Sequence, residues 1–182
     1  MKTQNILELA GRYGIPAIAL HWTLALLIPI QIGLGWYMLS IEKQPGSAWY
    51  FALHISLGLT AALLIGLRFA WRLGHGAAPL PATVATWQRK VVRGSHALLY
   101  LAMIVMPLTG YLGASFSGDA IGYFGISLPN WARGNDLLKE QFFAVHSFVA
   151  WLLVVLIGIH VLGALKHLVI DKDGVFWRMW PH

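Results

Sequence analysis

Four apolar stretches, each long enough to cross a bilayer, decide what this chain can fold into. They run from about Ile15 to Leu39, Trp49 to Trp71, Ser95 to Phe116 and Phe142 to Leu168. About 20 apolar residues in a helix cross about 30 Å of hydrocarbon. In that medium no water is available to backbone N–H and C=O groups, so each stretch must satisfy its own hydrogen bonds as a helix. The expectation is an all-α protein, a four-helix transmembrane bundle forming one membrane domain over residues 1–182. Charge content supports it. Only 11% of the residues are charged and 58% are hydrophobic, whereas a water-soluble domain carries about 25% charged residues. Lipid must therefore cover part of the surface. The first apolar stretch also outruns the roughly 7–15 residues of a signal-peptide core, so it is expected to stay in the membrane.

Basic residues set the orientation. One side of the bundle receives Lys2, Arg12, Arg68, Arg72, Arg89, Lys90, Arg93, Lys166, Lys172 and Arg178, and the other only Lys43, Arg133 and Lys139. Positive loops stay inside, which predicts both termini in the cytoplasm. The formal charge of +6 thus reports topology and does not point to nucleic acid. Between the second and third helices lies a Pro-containing segment from Gly74 to Arg93. The outer Ser117–Glu140 connection is rich in Gly, Asn and Asp, and a short surface helix is expected near Trp131.

The chain has no cysteine and eight histidines. Thiolate zinc sites, iron–sulfur clusters and covalently attached haem are excluded. Five histidines fall within or at the edge of apolar stretches: His21, His54, His96, His146 and His160. Ionisable groups at membrane depth are costly and mark function by default. His146 and His160 are fourteen residues apart, about 21 Å along one helix and on nearly one face. His21 lies early in an outward-running helix and His54 early in an inward-running one. His21 therefore matches His160 in depth, and His54 matches His146. Zinc and copper usually collect three or four ligands at one depth. Two separated pairs suit two haems, each with imidazole on both axial positions. The residue four places after each proposed ligand is small (Ala25, Gly58, Ala150, Ala164), which leaves room for a flat macrocycle.

Arg68 follows His54 by fourteen residues and should face the bundle on the inner side, where it can meet haem propionates or a quinone. His167 lies seven residues beyond His160, and His96 sits at a similar level. With Arg68 these two predict a polar pocket able to hydrogen-bond a quinone and deliver its protons.

Several segments resemble the bacterial cytochrome b561 family. They are Leu20-His21-Trp22, Leu53-His54-Ile55 with Gly58, His96 with Pro107 and Gly110, His146, Gly158-Ile159-His160, Ala164 through His167, and the tail from Lys172-Asp173-Gly174 to Pro181. The resemblance implies a multi-pass cytochrome of the bacterial inner membrane with two haem b groups on His21, His54, His146 and His160. Within the family the chain is similar to the type that takes electrons from superoxide outside and reduces ubiquinone in the membrane. Electrons would enter at the His54/His146 haem and leave from the His21/His160 haem. Two competitors predict different things. A partner-linked carrier would take electrons from a periplasmic redox protein docked on the Ser117–Glu140 loop. A proton-relay transporter or sensor would use the same histidines without haem.

Overall fold

The computed structural model describes residues 11–81 and 84–181. Lys2, the segment before Gly11 and His182 lie outside the described residues. Four long helices carry the chain: α1 (Ile15–Ser40), α2 (Ser47–His75), α3 (Thr86–Phe116) and α4 (Asp136–Lys166). All four are long and apolar enough to cross a membrane.

Local chemistry sets the helix ends. Pro16 sits in the first turn of α1, where its missing N–H costs nothing. Gly46 (φ 86°) precedes α2 and Gly76 (φ 66°) ends it, both in the left-handed region that glycine enters freely. α3 begins nine residues before the expected Ser95. Its polar first turns lie outside the apolar window, but the Gln88 side chain accepts the Ala85 N–H at 3.1 Å and anchors an earlier start. α4 begins at Asp136 rather than near Phe142, because Asn135 caps it by accepting the Leu138 N–H at 3.1 Å. Its far end runs into a single π-helical turn, His167–Asp171.

The connection between α3 and α4 departs from expectation. No helix forms near Trp131. Instead β1 (Ile121–Tyr123) pairs antiparallel with β2 (Ile126–Leu128). The turn places Phe124 and Gly125 at φ 46° and 87°, a mirror-image turn that matches strand twist. Pro129 and Gly134 bracket Trp131 and deny it a helical run. The hairpin is fastened to α2. The Phe124 N–H donates to Ser56 Oγ at 2.9 Å, and Tyr123 Oη lies 3.3 Å from Thr60 Oγ1.

The interior is small. Ile32, Leu99, Ala102, Val149, Leu153 and Leu156 form one buried cluster, and Leu24, Ala61 and Ile65 a second. Large apolar side chains such as Leu26, Leu63, Leu101, Phe148 and Leu162 are more than half exposed. A water-soluble protein would not leave patches of that extent bare, and hydrocarbon is the solvent that suits them.

The segment from Gly11 and the start of α1 meet the tail around Arg178 and Met179. Trp22 donates its indole N–H to the Met179 carbonyl at 2.6 Å, and the Tyr13 N–H reaches the Arg178 carbonyl at 3.3 Å. Arg178 is buried and donates to the carbonyls of Gly11 (2.8 Å) and Pro79 (3.2 Å). Burial lowers its pKa, and Tyr13 and Asp173 oppose that shift. One guanidinium thereby ties the tail to both the N-terminal segment and the α2–α3 connection. Arg178→Met should cost about 2–3 kcal/mol, since hydrogen bonds from a charged donor are lost and two carbonyls are stranded. Thermal unfolding of the detergent-solubilised protein measures this, and an unchanged midpoint would contradict it.

Candidate functional site

The bundle brings the intramembrane histidines together in two groups. Toward the hairpin end, His54 of α2 faces His146 of α4, with ring centroids 6.1 Å apart and planes crossed at 83°. Toward the tail end, His21 of α1 faces His160 of α4 at 6.1 Å and 74°. Two imidazoles on opposite sides of one metal, each with a metal–nitrogen bond of about 2 Å, stand with centroids about 6 Å apart. Both pairs fit one iron each. His96 of α3 also reaches His160, at a centroid distance of 5.3 Å, closer than two imidazoles on opposite sides of one metal would stand.

Second contacts of the rings differ. His146 Nδ1 lies 2.8 Å from the Met106 carbonyl, and Thr109 Oγ1 is 3.5 Å away. A carbonyl only accepts, so Nδ1 carries the proton and Nε2 keeps its lone pair for a metal. His96 is arranged alike, with Nδ1 at 2.7 Å from the Val92 carbonyl. His21 Nδ1 instead lies 3.3 Å from Arg68 Nη2, while Arg68 Nη1 donates to the Ala17 carbonyl at 2.9 Å. His54 Nδ1 is buried, and the ring interacts with the Gln31 backbone carbonyl.

Two glycines set the rings. A Cβ at Gly110 would lie 2.8 Å from His146 Cε1 and 3.0 Å from its Nδ1, and one at Gly35 would lie 3.2 Å from His54 Cε1. The gap beside Gly58, expected to leave space for a macrocycle, is filled by Gln31: a Cβ there would meet Gln31 Nε2 at 3.1 Å.

Arg68 lines a cavity of about 340 Å³ at the tail end of the bundle, along with Arg12, Tyr13, Arg72, His75 and Tyr100. Neither His96 nor His167 lines it. His167 is held by the tail, with Nδ1 2.7 Å from Asp173 Oδ2 and 3.2 Å from Asp171 Oδ2. Lys166 Nζ reaches the same Asp171 oxygen at 2.5 Å.

Gln31 and Gly35 were not singled out from sequence, and Gly110 and Asp173 entered only through the family resemblance, without a role. Gln31 carried a readable signal, an amide in the middle of an apolar stretch. Contacts of the glycines and of the Met106 carbonyl depend on helix packing, and no residue type announces them.

Known proteins agree with this architecture. The family model described as prokaryotic cytochrome b561 matches residues 12–182. Cytochrome b561 homolog 2 of Escherichia coli (strain K12) is 32% identical over 173 residues, covering 92% of this chain and 90% of that protein. A protein of Yersinia pestis named probable superoxide oxidase CybB is 25% identical over 173 residues, covering 93% and 96%. A sphingosine-1-phosphate transporter of Danio rerio is 36% identical over 118 residues, which is 23% of its length, too small a part to speak for the whole. The family match runs through every helix and the tail, and on that ground the chain belongs to the prokaryotic cytochrome b561 family, membrane electron-transfer proteins associated with b-type haem.

Proposed function

We propose that this protein is a two-haem cytochrome of the bacterial inner membrane that moves electrons from an outer donor, superoxide, to ubiquinone. It is one membrane domain spanning residues 1–182 with both termini in the cytoplasm. The observation that carries the reading is the repeated 6.1 Å spacing of two histidine pairs. Their α4 members lie fourteen residues, or about 21 Å, apart along the helix. Haem bound at each pair supplies one-electron exchange between ferric and ferrous iron.

The chain's own residues do the rest. His54 and His146 hold the outer group, and His21 and His160 the inner one. A guanidinium can only donate, so His21 Nδ1 accepts from Arg68 in the present arrangement. A His21 that gives Nε2 to a metal keeps its proton on Nδ1, which releases Arg68 toward the cavity it lines with Arg12 and Arg72. Those guanidiniums suit a propionate carboxylate or a quinone oxygen. In this reading His96, beside His160, hydrogen-bonds the quinone and passes it protons, and the His167–Asp173 pair, outside the cavity that Arg68 lines, is a further proton source. The balance is two superoxide ions oxidised to two O₂ while ubiquinone takes two electrons and two protons to become ubiquinol.

The superoxide assignment is supported by the relative at 25% identity and its printed name. Rapid mixing of superoxide with the purified protein and a soluble quinone tests it. Quinone-dependent superoxide loss well above spontaneous dismutation is expected, and no acceleration would sink the assignment. A second reading is favoured by charge. Lys43, Arg133 and Lys139 face Glu42, Asp119, Asp136 and Glu140 on the outer side, and Lys139 is paired with Asp136 at 3.0 Å. That side as a whole offers no positive field to steer a small anion. A protein donor docking on the hairpin and the Trp131 loop would need none. Electron delivery only in the presence of such a partner would favour it.

A further inference from the structure

The two histidine pairs differ in what stands behind the ligand rings. Toward the hairpin end, both rings meet a main-chain carbonyl of a neighbouring helix: His146 that of Met106 on α3, with Nδ1 at 2.8 Å, and His54 that of Gln31 on α1. One device serves both. Four residues after each carbonyl comes a glycine, Gly110 or Gly35, and a Cβ at either would press on the ring. Toward the tail end the surroundings are reversed. His21 Nδ1 lies 3.3 Å from Arg68 Nη2, on a cation that can only donate. Arg68 Nη1 is held by the carbonyl of Ala17 at 2.9 Å, four residues before His21. The charge therefore stays within about one helical turn of the ligand even when the Nη2 contact is lost. Among the described residues no carboxylate forms an ion pair with Arg68.

We propose that the chain gives its two haem sites unequal affinity for an electron, the tail-end site holding it more tightly, and that Arg68 sets the difference. The inference rests on the two-haem reading and adds to it what gives the electron path a direction. A carbonyl that accepts the Nδ1 proton makes an imidazole a better donor to iron, which favours the ferric state at the His54/His146 site. His21, with a guanidinium behind it in place of a carbonyl, is the poorer donor. The positive charge of Arg68 also acts on that iron through a poorly screened interior. It favours the ferrous state, which carries one positive charge fewer. Pairing with a haem propionate leaves the sign unchanged, because the guanidinium then offsets that carboxylate's negative charge. Both effects raise the tail-end potential. An electron that passes from the His54/His146 site oxidises that iron, reduces the one at His21/His160, and runs downhill. With the tail end inward, it moves toward the negative side of an energised membrane, which opposes it. The charge on Arg68 offsets that opposition.

The test is a potentiometric titration of the purified full-length protein, with haem counted by pyridine haemochrome. Two distinct midpoints are expected. Arg68→Gln removes the charge and keeps a donor, and should lower the higher midpoint while the other stays in place. Arg68→Lys keeps the charge and should recover most of that shift. Gly35→Ala identifies the hairpin-end site. A Cβ there stands 3.2 Å from His54 Cε1, moves the ring off the Gln31 carbonyl, and should raise the lower midpoint alone. A single shared midpoint in the wild type, or a Gly35→Ala shift in the higher midpoint or in neither, would overturn the ordering. An Arg68→Gln shift in the lower midpoint, in both equally or in neither would overturn the role of Arg68. So would an Arg68→Lys midpoint as low as that of Arg68→Gln, which would make shape rather than charge the cause. Should Arg68→Gln not fold, Arg68→Met is read in its place by the same criteria. A wild-type protein with fewer than two haems would instead sink the two-haem reading itself, so the two failures are told apart.

Discussion

His160→Ala is expected to leave the purified protein with one haem where the proposed reading gives it two, and to lower the proposed electron transfer to quinone by about 100-fold or more. Losing a hydrogen-bond partner of a metal-ligating histidine already costs about 10–100-fold in affinity or activity, and removing the ligand itself should cost at least as much. His21→Ala should act alike, because the two rings stand 6.1 Å apart, as a shared iron requires. His96→Ala is the discriminating control. Its ring lies 5.3 Å from His160 and its Nδ1 is tied to the Val92 carbonyl. If His96 assists a quinone, the variant keeps both haems and loses quinone reduction. Pyridine haemochrome counts the haems, and flash or rapid-mix reduction reads the transfer. One haem in His96→Ala with two in His21→Ala would reassign the inner pair.

Much of this could be read from the chain, and the reason is physical. Hydrocarbon forces helices and penalises buried titratable groups, so four apolar runs with histidines at matched depths constrain both the fold and the pairing. His21 with His160 and His54 with His146 follow from spacing along helices whose direction the loops set. What escaped depends on side-chain contact. The early starts of α3 and α4 come from Gln88 and Asn135 reaching back to cap the helix, outside the apolar window. The Phe124-Gly125 hairpin lay in a connection without helical or strand periodicity, where one glycine and one residue at positive φ decide the turn. His167 was expected beside Arg68 and His96. The π-helical turn and the Asp173 carboxylate instead bind it to the tail, an outcome that helix spacing from His160 does not anticipate.

Gly110→Val should disable the outer haem without touching a single ligand. The α3–α4 contact is the most extensive in the bundle, and His146 crosses it to reach the Met106 carbonyl. Even one methyl at position 110 would lie 2.8 Å from His146 Cε1, inside the distance that carbon atoms tolerate. The ring cannot yield freely, because Nδ1 is held from the α3 side by the Met106 carbonyl. Either the ring turns away from His54 or α3 and α4 separate. Both outcomes break the 6.1 Å outer pair and leave the inner one. The expected result is one haem per chain in Gly110→Val, a weakened outer haem in Gly110→Ala, and helical content close to wild type. Gly74→Ala is the control, since nothing lies within 4 Å of a Cβ there. An alanine in a helix is favoured over glycine by about 0.5–1 kcal/mol, so this variant should keep both haems and unfold no sooner than the wild type. Two intact haems in Gly110→Val would mean that His146 does not depend on the space beside that glycine, and the outer pair would have to be sought in another arrangement of the ring.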